Sequence, residues 1–325
     1  MLLLSRSDIA SLLTFDDYIR VVEEAFRLHA EGCALDPALA HVDADGGEFH
    51  IKAGGLRGAT PYFALKVNGG FFQNRSRFNL PNIQGLIVLS RADNGTPLAA
   101  MDSIEITKQR TGAATAVAAR LLARPASHTC TVCGCGTQGR IQLRALKHVL
   151  PIERAFVWSR DAQKAAAFAD QMSRELGIAV MPSADLGQAL AQSDVCVTCT
   201  PARAPFLSRS QVPPGMFIAA VGADSPDKQE LDADLVACSK IVADLRAQAA
   251  TVGETHHAIA GGLLNPTHVH AELGELLLGR VPGRTSGTEV IIFDSTGTAL
   301  QDVAAAAAVY ERARANGVGI EWSPA

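Results

Sequence analysis

The chain has 325 residues, 48% of them hydrophobic and 19% charged, with a formal net charge of −4. That length holds about two domains with proper cores, the composition excludes a disordered chain, and the lack of a basic run argues against nucleic acid as a partner. No apolar stretch reaches the ~18 residues of a bilayer span, and Met1-Leu2-Leu3-Leu4-Ser5-Arg6 lacks the basic and long apolar segments of a secretory signal, so no membrane partner and a cytoplasmic setting are expected.

The first third is mixed. Residues 16–30 form an amphipathic helix pattern with Ile19, Val22 and Phe26 on one face and Gly32 just past its end. Strand patterns follow at Glu48-Phe49-His50-Ile51-Lys52, at Tyr62-Phe63-Ala64-Leu65-Lys66-Val67 and over 84–89. Asp93-Asn94-Gly95 is a hairpin turn into Pro97-Leu98-Ala99-Ala100-Met101. A helix rich in small residues is expected over 106–123, stopped by Pro125.

From Thr129 the pattern changes to strand–helix alternation. Strands are expected near 129–134, 153–159, 178–182, 194–199, 215–222, 240–244 and 289–294, with a helix over 161–176 closed by Gly177 and a last alanine-rich helix over 299–315. That order predicts an α/β fold whose main part is a doubly wound parallel sheet with right-handed crossovers.

The sharpest motif is Cys130-Thr131-Val132-Cys133-Gly134-Cys135-Gly136-Thr137-Gln138-Gly139, an apolar strand running into Gly-x-Gly-x-x-Gly with a helix expected from about Arg140. Gly134 permits the tight turn, Gly136 lets backbone approach a pyrophosphate, and Gly139 lets helix pack on strand. In this strand–helix context the triplet predicts a Rossmann dinucleotide site. At the end of the second strand, where an acidic residue would bind the ribose hydroxyls of NAD, stand Ser159 and Arg160, with Asp161 starting the next helix. An arginine there suits a 2′-phosphate, so NADP(H) is favoured over NAD(H).

Seven cysteines include Cys130-x-x-Cys133-x-Cys135 and Cys196-x-x-Cys199. Both groups fall in expected strands, where residues three apart point to opposite faces, so buried thiols are expected and no metal. His256-His257 and His268-x-His270 lie in loop-like sequence with no third ligand in view.

Parallel sheets bind ligands at the carboxyl ends of their strands. Asp224 follows the apolar strand Met216-Phe217-Ile218-Ala219-Ala220-Val221 and is expected to face the cofactor cleft as an acid/base group; the alternative is a helix cap for the segment after Pro226. Arg110, at the start of the small-residue helix, presents a fork suited to a substrate carboxylate. Lys52 and Lys66 lie in strands, where lysines usually occupy edges or solvent faces.

Together these residues resemble the ornithine cyclodeaminase/mu-crystallin family over nearly the whole chain. The resemblance rests on Leu80-Pro81-x-x-Gln84-Gly85, Gly95-x-Pro97-Leu98-Ala99, Met101-Asp102, Thr107-x-x-Arg110-Thr111-x-Ala113-Ala114, the glycine turn, Gly222-x-Asp224-x-Pro226-x-Lys228-x-Glu230-Leu231 and Asp294-Ser295-Thr296-Gly297-x-Ala299-x-Gln301-Asp302. It implies a homodimer, with an α+β substrate and dimerisation domain over 1–116 and 303–325 and the Rossmann domain over 117–302. It implies that Arg110 holds a substrate carboxylate, that Lys66 assists it or polarises the reacting centre as a catalytic group, and that Asp224 is the acid/base at nitrogen. Thr111, Gly134, Gly136, Thr137, Gln138, Gly139, Ser159, Arg160, Lys228, Ser295 and Thr296 would serve the nicotinamide cofactor.

The family's branches comprise reductases of ketimines or cyclic imino acids, amino-acid dehydrogenases, ornithine or lysine cyclodeaminases that recycle NAD, and non-catalytic mu-crystallin-like binding proteins. Two departures from the family pattern stand out. The usual arginine ahead of the strand around residue 50 is missing, and Lys52 is expected to replace it as a carboxylate ligand. The cyclodeaminase branch carries a substrate-binding glutamate near the position of His50. Its absence there, with Ser159-Arg160, favours a reductase of a small imino acid, or an amino-acid dehydrogenase, over a cyclodeaminase.

Overall fold

The computed structural model describes residues 1–323. The chain divides into two compact units, Met1–Arg110 with the segment from Thr298 onward, and Thr111–Gly297.

Strand β1 (Leu2–Leu4) leads into helices α1 (Arg6–Leu12) and α2 (Phe15–Ala30). Both helices begin on capping boxes, Ser5 with Asp8 and Thr14 with Asp17, which satisfy two otherwise orphaned backbone donors each. Strands β2 (Ala34–Ala44), β3 (Gly47–Arg57) and β4 (Pro61–Gly70) follow, then a short helix α3 (Asn74–Phe78), β5 (Ile83–Arg91), β6 (Pro97–Asp102) and the long helix α4 (Ser103–Leu122). The expected turn before β6 is present, with Gly95 at φ 74°.

The second unit alternates. It runs β7 (Thr129–Cys133), α5 (Thr137–Val149), β8 (Arg154–Trp158), α6 (Ala162–Leu176), β9 (Ala179–Ser183), α7 (Leu186–Leu190) and β10 (Val195–Thr198). Next come β11 (Arg203–Leu207), β12 (Phe217–Ala220), β13 (Gln229–Leu231), α8 (Ala233–Ala237), β14 (Lys240–Ala243), α9 (Arg246–Val252) and α10 (Glu254–Ala260). The unit ends with β15 (Ala271–Glu272), α11 (Leu273–Leu277) and β16 (Ile291–Asp294), after which α12 (Ala299–Asn316) and β17 (Ile320–Glu321) belong to the first unit.

The first unit's sheet has the order β17-β1-β6-β5-β4-β3-β2, antiparallel except for β1 beside β6. The sequence reading had no strand at β2. Pro37 interrupts its pattern at a register shift between Leu35 and Ala38, which the sheet tolerates because β2 is an edge. Helix α12 lies against β3 and β4. A methyl on Gly54 would stand 3.0 Å from the Ala299 side chain, so small residues on both sides permit the close approach.

Along β4 the buried residues are Tyr62, Ala64, Lys66, Asn68 and Gly70, alternating with half-buried Phe63, Leu65 and Val67. The face beneath α12 therefore carries Lys66 and its cross-strand partner Lys52 among buried apolar residues such as Ile87 and Leu89. Neither lysine takes the edge or solvent position usual for a lysine in a strand.

The second unit's main sheet has the all-parallel order β15-β14-β16-β12-β10-β7-β8-β9, bearing out the doubly wound prediction. The chain proceeds from β7 through β8 to β9 on one side and returns to β10 on the other side of β7. The topological switch point thus falls between β7 and β10, where such sheets bind ligands. Met216, Ile218, Ile241 and Ile292 pack one face of the sheet. Among the described residues no helix is long and apolar enough to cross a membrane.

Candidate functional site

In the first unit a group of charges is sealed from water. Lys52, Lys66, Arg110 and Asp302 are each more than nine-tenths buried. Lys66 Nζ donates to Asp302 Oδ2 at 2.5 Å, Arg110 Nε donates to Asp302 Oδ1 at 2.9 Å, and Arg110 Nη1 donates to Gln301 Oε1 at 3.0 Å. Asp302 comes from the first turn of α12, Lys66 from β4 and Arg110 from α4, so helix-on-sheet packing brings them together.

Burial, then the Arg110 charge, pulls the Lys66 ammonium down to about 7, against the opposing pull of Asp302. Burial pushes the Asp302 carboxyl up, but Arg110, Lys66 and Lys52 outweigh it and hold the group below its ordinary range. Two cationic side chains, Lys66 and Arg110, bind one carboxylate. Gln301 Nε2, also buried, has no hydrogen-bond partner among the described residues. A buried surplus of positive charge beside an orphaned donor is costly unless an anion completes it.

In the second unit the glycine turn has the expected shape. Gly134 adopts φ 124° and its N–H donates to Trp158 O at 3.0 Å. A methyl on Gly139 would lie 2.0 Å from Gly134 O, whereas one on Gly136 would meet nothing within 4 Å. Gly139 thus serves helix–strand packing, and the backbone at Gly136 is open. Helix α5 begins at Thr137 with Gly136 as N-cap, three residues before the expected start. Its first turn therefore includes Gln138 and Gly139, and its free N–H groups belong to the turn itself. Arg140 holds the loop from behind, donating to Cys135 O at 2.9 Å and Gly136 O at 3.1 Å while lying over the Phe168 ring.

Asp224 stands in the loop after β12, and Lys228 Nζ donates to its Oδ1 at 2.6 Å. The capping alternative fails, because the segment after Pro226 is a turn into β13 rather than a helix. Buried Glu230 anchors this loop: it accepts from Gly222 N at 2.9 Å, Thr200 N at 2.6 Å and Thr200 Oγ1 at 2.7 Å. Burial raises Glu230 to about 7 in spite of those donors. At the end of β16, Thr296 Oγ1 donates to Asp244 Oδ1 at 2.8 Å and accepts from Gln248 Nε2 at 2.9 Å. Its hydroxyl is thus committed to the turn, while buried Ser295 Oγ has no partner among the described residues.

Ser159 and Arg160 follow β8. Asp161 caps α6 by accepting from Gln163 N and Lys164 N, and exposed Arg160 makes no ion pair among the described residues. Thr111 is buried midway along α4. All seven cysteines are free thiols, and Cys130, Cys133 and Cys196 are buried. His256 and His257 lie in α10 rather than in a loop, with His257 Nε2 on Lys228 O at 2.8 Å; His270 Nε2 meets Pro282 O at 2.9 Å.

The sequence profile of the ornithine cyclodeaminase/mu-crystallin family matches residues 1–317. The chain belongs to this family. Its fold is shared with an archaeal alanine dehydrogenase dimer solved with bound NAD, at a TM-score of 0.94 and 37% identity over 100% of this chain and 99% of that one. The Δ1-pyrroline-2-carboxylate reductase of Thermococcus litoralis, solved with NADH and L-proline, superposes at a TM-score of 0.94 with 33% identity over 99% and 100%. The iminosuccinate reductase of Paracoccus denitrificans is 35% identical over 326 residues, 99% of each chain.

Within this member of the ornithine cyclodeaminase/mu-crystallin family, Asp302, Gln301 and Arg140 carry interactions that sequence reading assigned to no residue. Asp302 and Gln301 stood inside a quoted motif, and an acidic residue in an otherwise alanine-rich helix was the signal available. Nothing in the chain's periodicity marks Arg140 as the residue bracing the glycine turn.

Proposed function

We propose that the protein is an NAD(P)H-dependent oxidoreductase that reduces the C=N bond of a small 2-imino acid, open or cyclic, or runs the reverse oxidation of the amino acid. The observation that carries this reading is the buried group in which Arg110 and Lys66 both bind Asp302 beside the orphaned Gln301 Nε2. It fits a single small carboxylate, and the relatives named for imino and amino acids support it.

Arg110 clamps the substrate carboxylate, Lys66 and Lys52 add charge, and Gln301 Nε2 supplies a further donor. The residues of the glycine turn fit a pyrophosphate: open backbone at Gly136, free N–H groups and positive dipole at the start of α5, and no room for a side chain at Gly139. The nicotinamide, when bound, supplies the hydride to the imine carbon. Asp224 passes a proton at the imine nitrogen, and Lys228, paired with it, keeps its carboxylate oriented. Arg160, with Asp161 occupied in capping, favours NADPH.

The test is loss of reduced-nicotinamide absorbance with NADH and NADPH in parallel, against pyrroline-2-carboxylate, piperideine-2-carboxylate, and pyruvate or oxaloacetate with ammonia. Oxidation with one of these is expected. None with any, alongside ammonia release from ornithine plus NAD, would replace the reading by a cyclodeaminase.

The depressed Lys66 gives a pH dependence. Below about 7 its ammonium is charged and attracts the carboxylate; above that it is neutral and the attraction is lost. The value of kcat/KM is therefore expected to be level below about pH 7 and to fall above it, and Lys66→Met to abolish that fall. A wild-type profile with no break in this region would contradict the assignment.

The protein is proposed to act as a homodimer through the open face of the first unit's sheet. Val42, Phe49, Leu65, Val67, Leu86 and Val88 share that face by strand register, and Leu86 is 56% exposed. A contiguous run of exposed apolar side chains marks an interaction surface, and the archaeal relative is a dimer. Light scattering is expected to give a dimer for the wild type and a monomer for the Leu86→Glu, Val88→Glu double variant.

A further inference from the structure

The β2–β3 hairpin turns on Asp45 and Gly46, with Ala44 paired to Gly47, Asp43 to Glu48 and His41 to His50. Side chains two apart on one strand, and those directly opposite across an antiparallel pair, share a face. His41, Asp43, Glu48 and His50 therefore form a two-by-two block of nitrogen and oxygen donors on one face of the hairpin. The side chains meet as that register requires. His50 Nε2 lies 3.0 Å from Glu48 Oε1, and His41 Nε2 lies 3.7 Å from Glu48 Oε2 and 3.1 Å from Asp43 Oδ1. The two imidazole rings are edge-to-face with centroids 4.9 Å apart.

We infer that this block is a binding site for a divalent transition-metal ion of the zinc type, with His41, His50 and Glu48 as ligands and Asp43 or water completing the shell. One ligand atom from each of the three lies within 4.8 Å of the others, and this is the one such group of histidine, cysteine or acidic side chains among the described residues. An ion about 2.1 Å from each donor, arranged tetrahedrally, sets the donors about 3.4 Å apart. The observed separations bracket that spacing, so small side-chain rotations close the shell. Two imidazoles with carboxylate oxygen suit zinc, cobalt or nickel, and disfavour magnesium and calcium, which take all-oxygen shells. Glu48 is buried while the Asp43 carboxylate is 92% exposed, which leaves a path of entry and a floor that fixes the geometry.

The group is separate from the carboxylate clamp. Lys52 is the next residue along β3 on the same face, one two-residue step or about 7 Å away. None of the four side chains has a role in the proposed reduction.

Cobalt(II) titrated into the chelator-stripped full-length protein, followed by displacement with zinc, tests the site. The expected result is one ion per chain, ligand-field bands in the visible, and no thiolate-to-metal charge transfer. The exposed His41→Ala variant, whose folding is checked by its thermal melt, is expected to weaken binding by about a hundredfold. His41→Ala combined with His50→Gln is expected to remove binding. Absence of binding, undiminished binding in these variants, or a thiolate band placing the ion on cysteine would each overturn the site.

Discussion

Asp224→Asn is expected to keep nicotinamide binding and to lose at least about a hundredfold in turnover, the usual scale for removing a positioned acid/base group. Asparagine occupies the same volume and still accepts a hydrogen bond from Lys228 Nζ, which lies 2.6 Å from the carboxylate. The loop itself is held by other groups, through the Gly222 N–H on Glu230. A methyl on Gly222 would stand 2.3 Å from Glu230 Oε2, so this anchor is tight and independent of residue 224. What the amide cannot do is give or take a proton. Steady-state kinetics beside titration of cofactor fluorescence separates the two effects. Turnover near the wild-type level would remove Asp224 from the chemistry.

Arg110→Lys is expected to lower kcat/KM for the imino acid by about a hundredfold, mainly through KM, with the KM of the cofactor unchanged. The guanidinium already directs Nε to Asp302 and Nη1 to Gln301. A single ammonium cannot hold both and still present a planar edge to a carboxylate. The charge is retained, so Asp302 is not stranded and the fold is kept. Arg110→Met is the harsher change: it removes the carboxylate fork altogether, and kcat/KM is expected to fall further while Lys66 keeps Asp302 paired. An unaltered KM for the imino acid in Arg110→Lys would move the carboxylate site elsewhere.

Much of the second unit was legible because its signals are local. A buried parallel strand is a short apolar run bounded by turn residues, and the seven strands expected there each have a counterpart. The short strands β11, β13 and β15 escaped notice because two to five residues carry too little pattern. Helix α5 starts before the expected Arg140 because Gly139 sits within its first turn, where nothing larger fits.

The first unit was harder to read. Both faces of its sheet are largely apolar, with the lysines set among Ile87, Leu89 and Met101 on the covered side and leucine, valine and phenylalanine on the open side. Alternation reveals that two faces exist but not which one α12 will cover. The residues that do the covering lie more than two hundred positions along the chain, as Lys66 and Asp302 are.

By itself, the sequence determined the strand–helix order, the glycine turn and the set of polar residues available for chemistry, since these depend on neighbours within a few positions. Only the tertiary structure decided that Asp302 is the counter-ion of both Lys66 and Arg110, that Arg140 braces the glycine turn, and that His41 faces His50 and Glu48 across a hairpin whose first strand the sequence did not announce. Those are contacts between elements. Their energies come from desolvation and register, which no local pattern encodes.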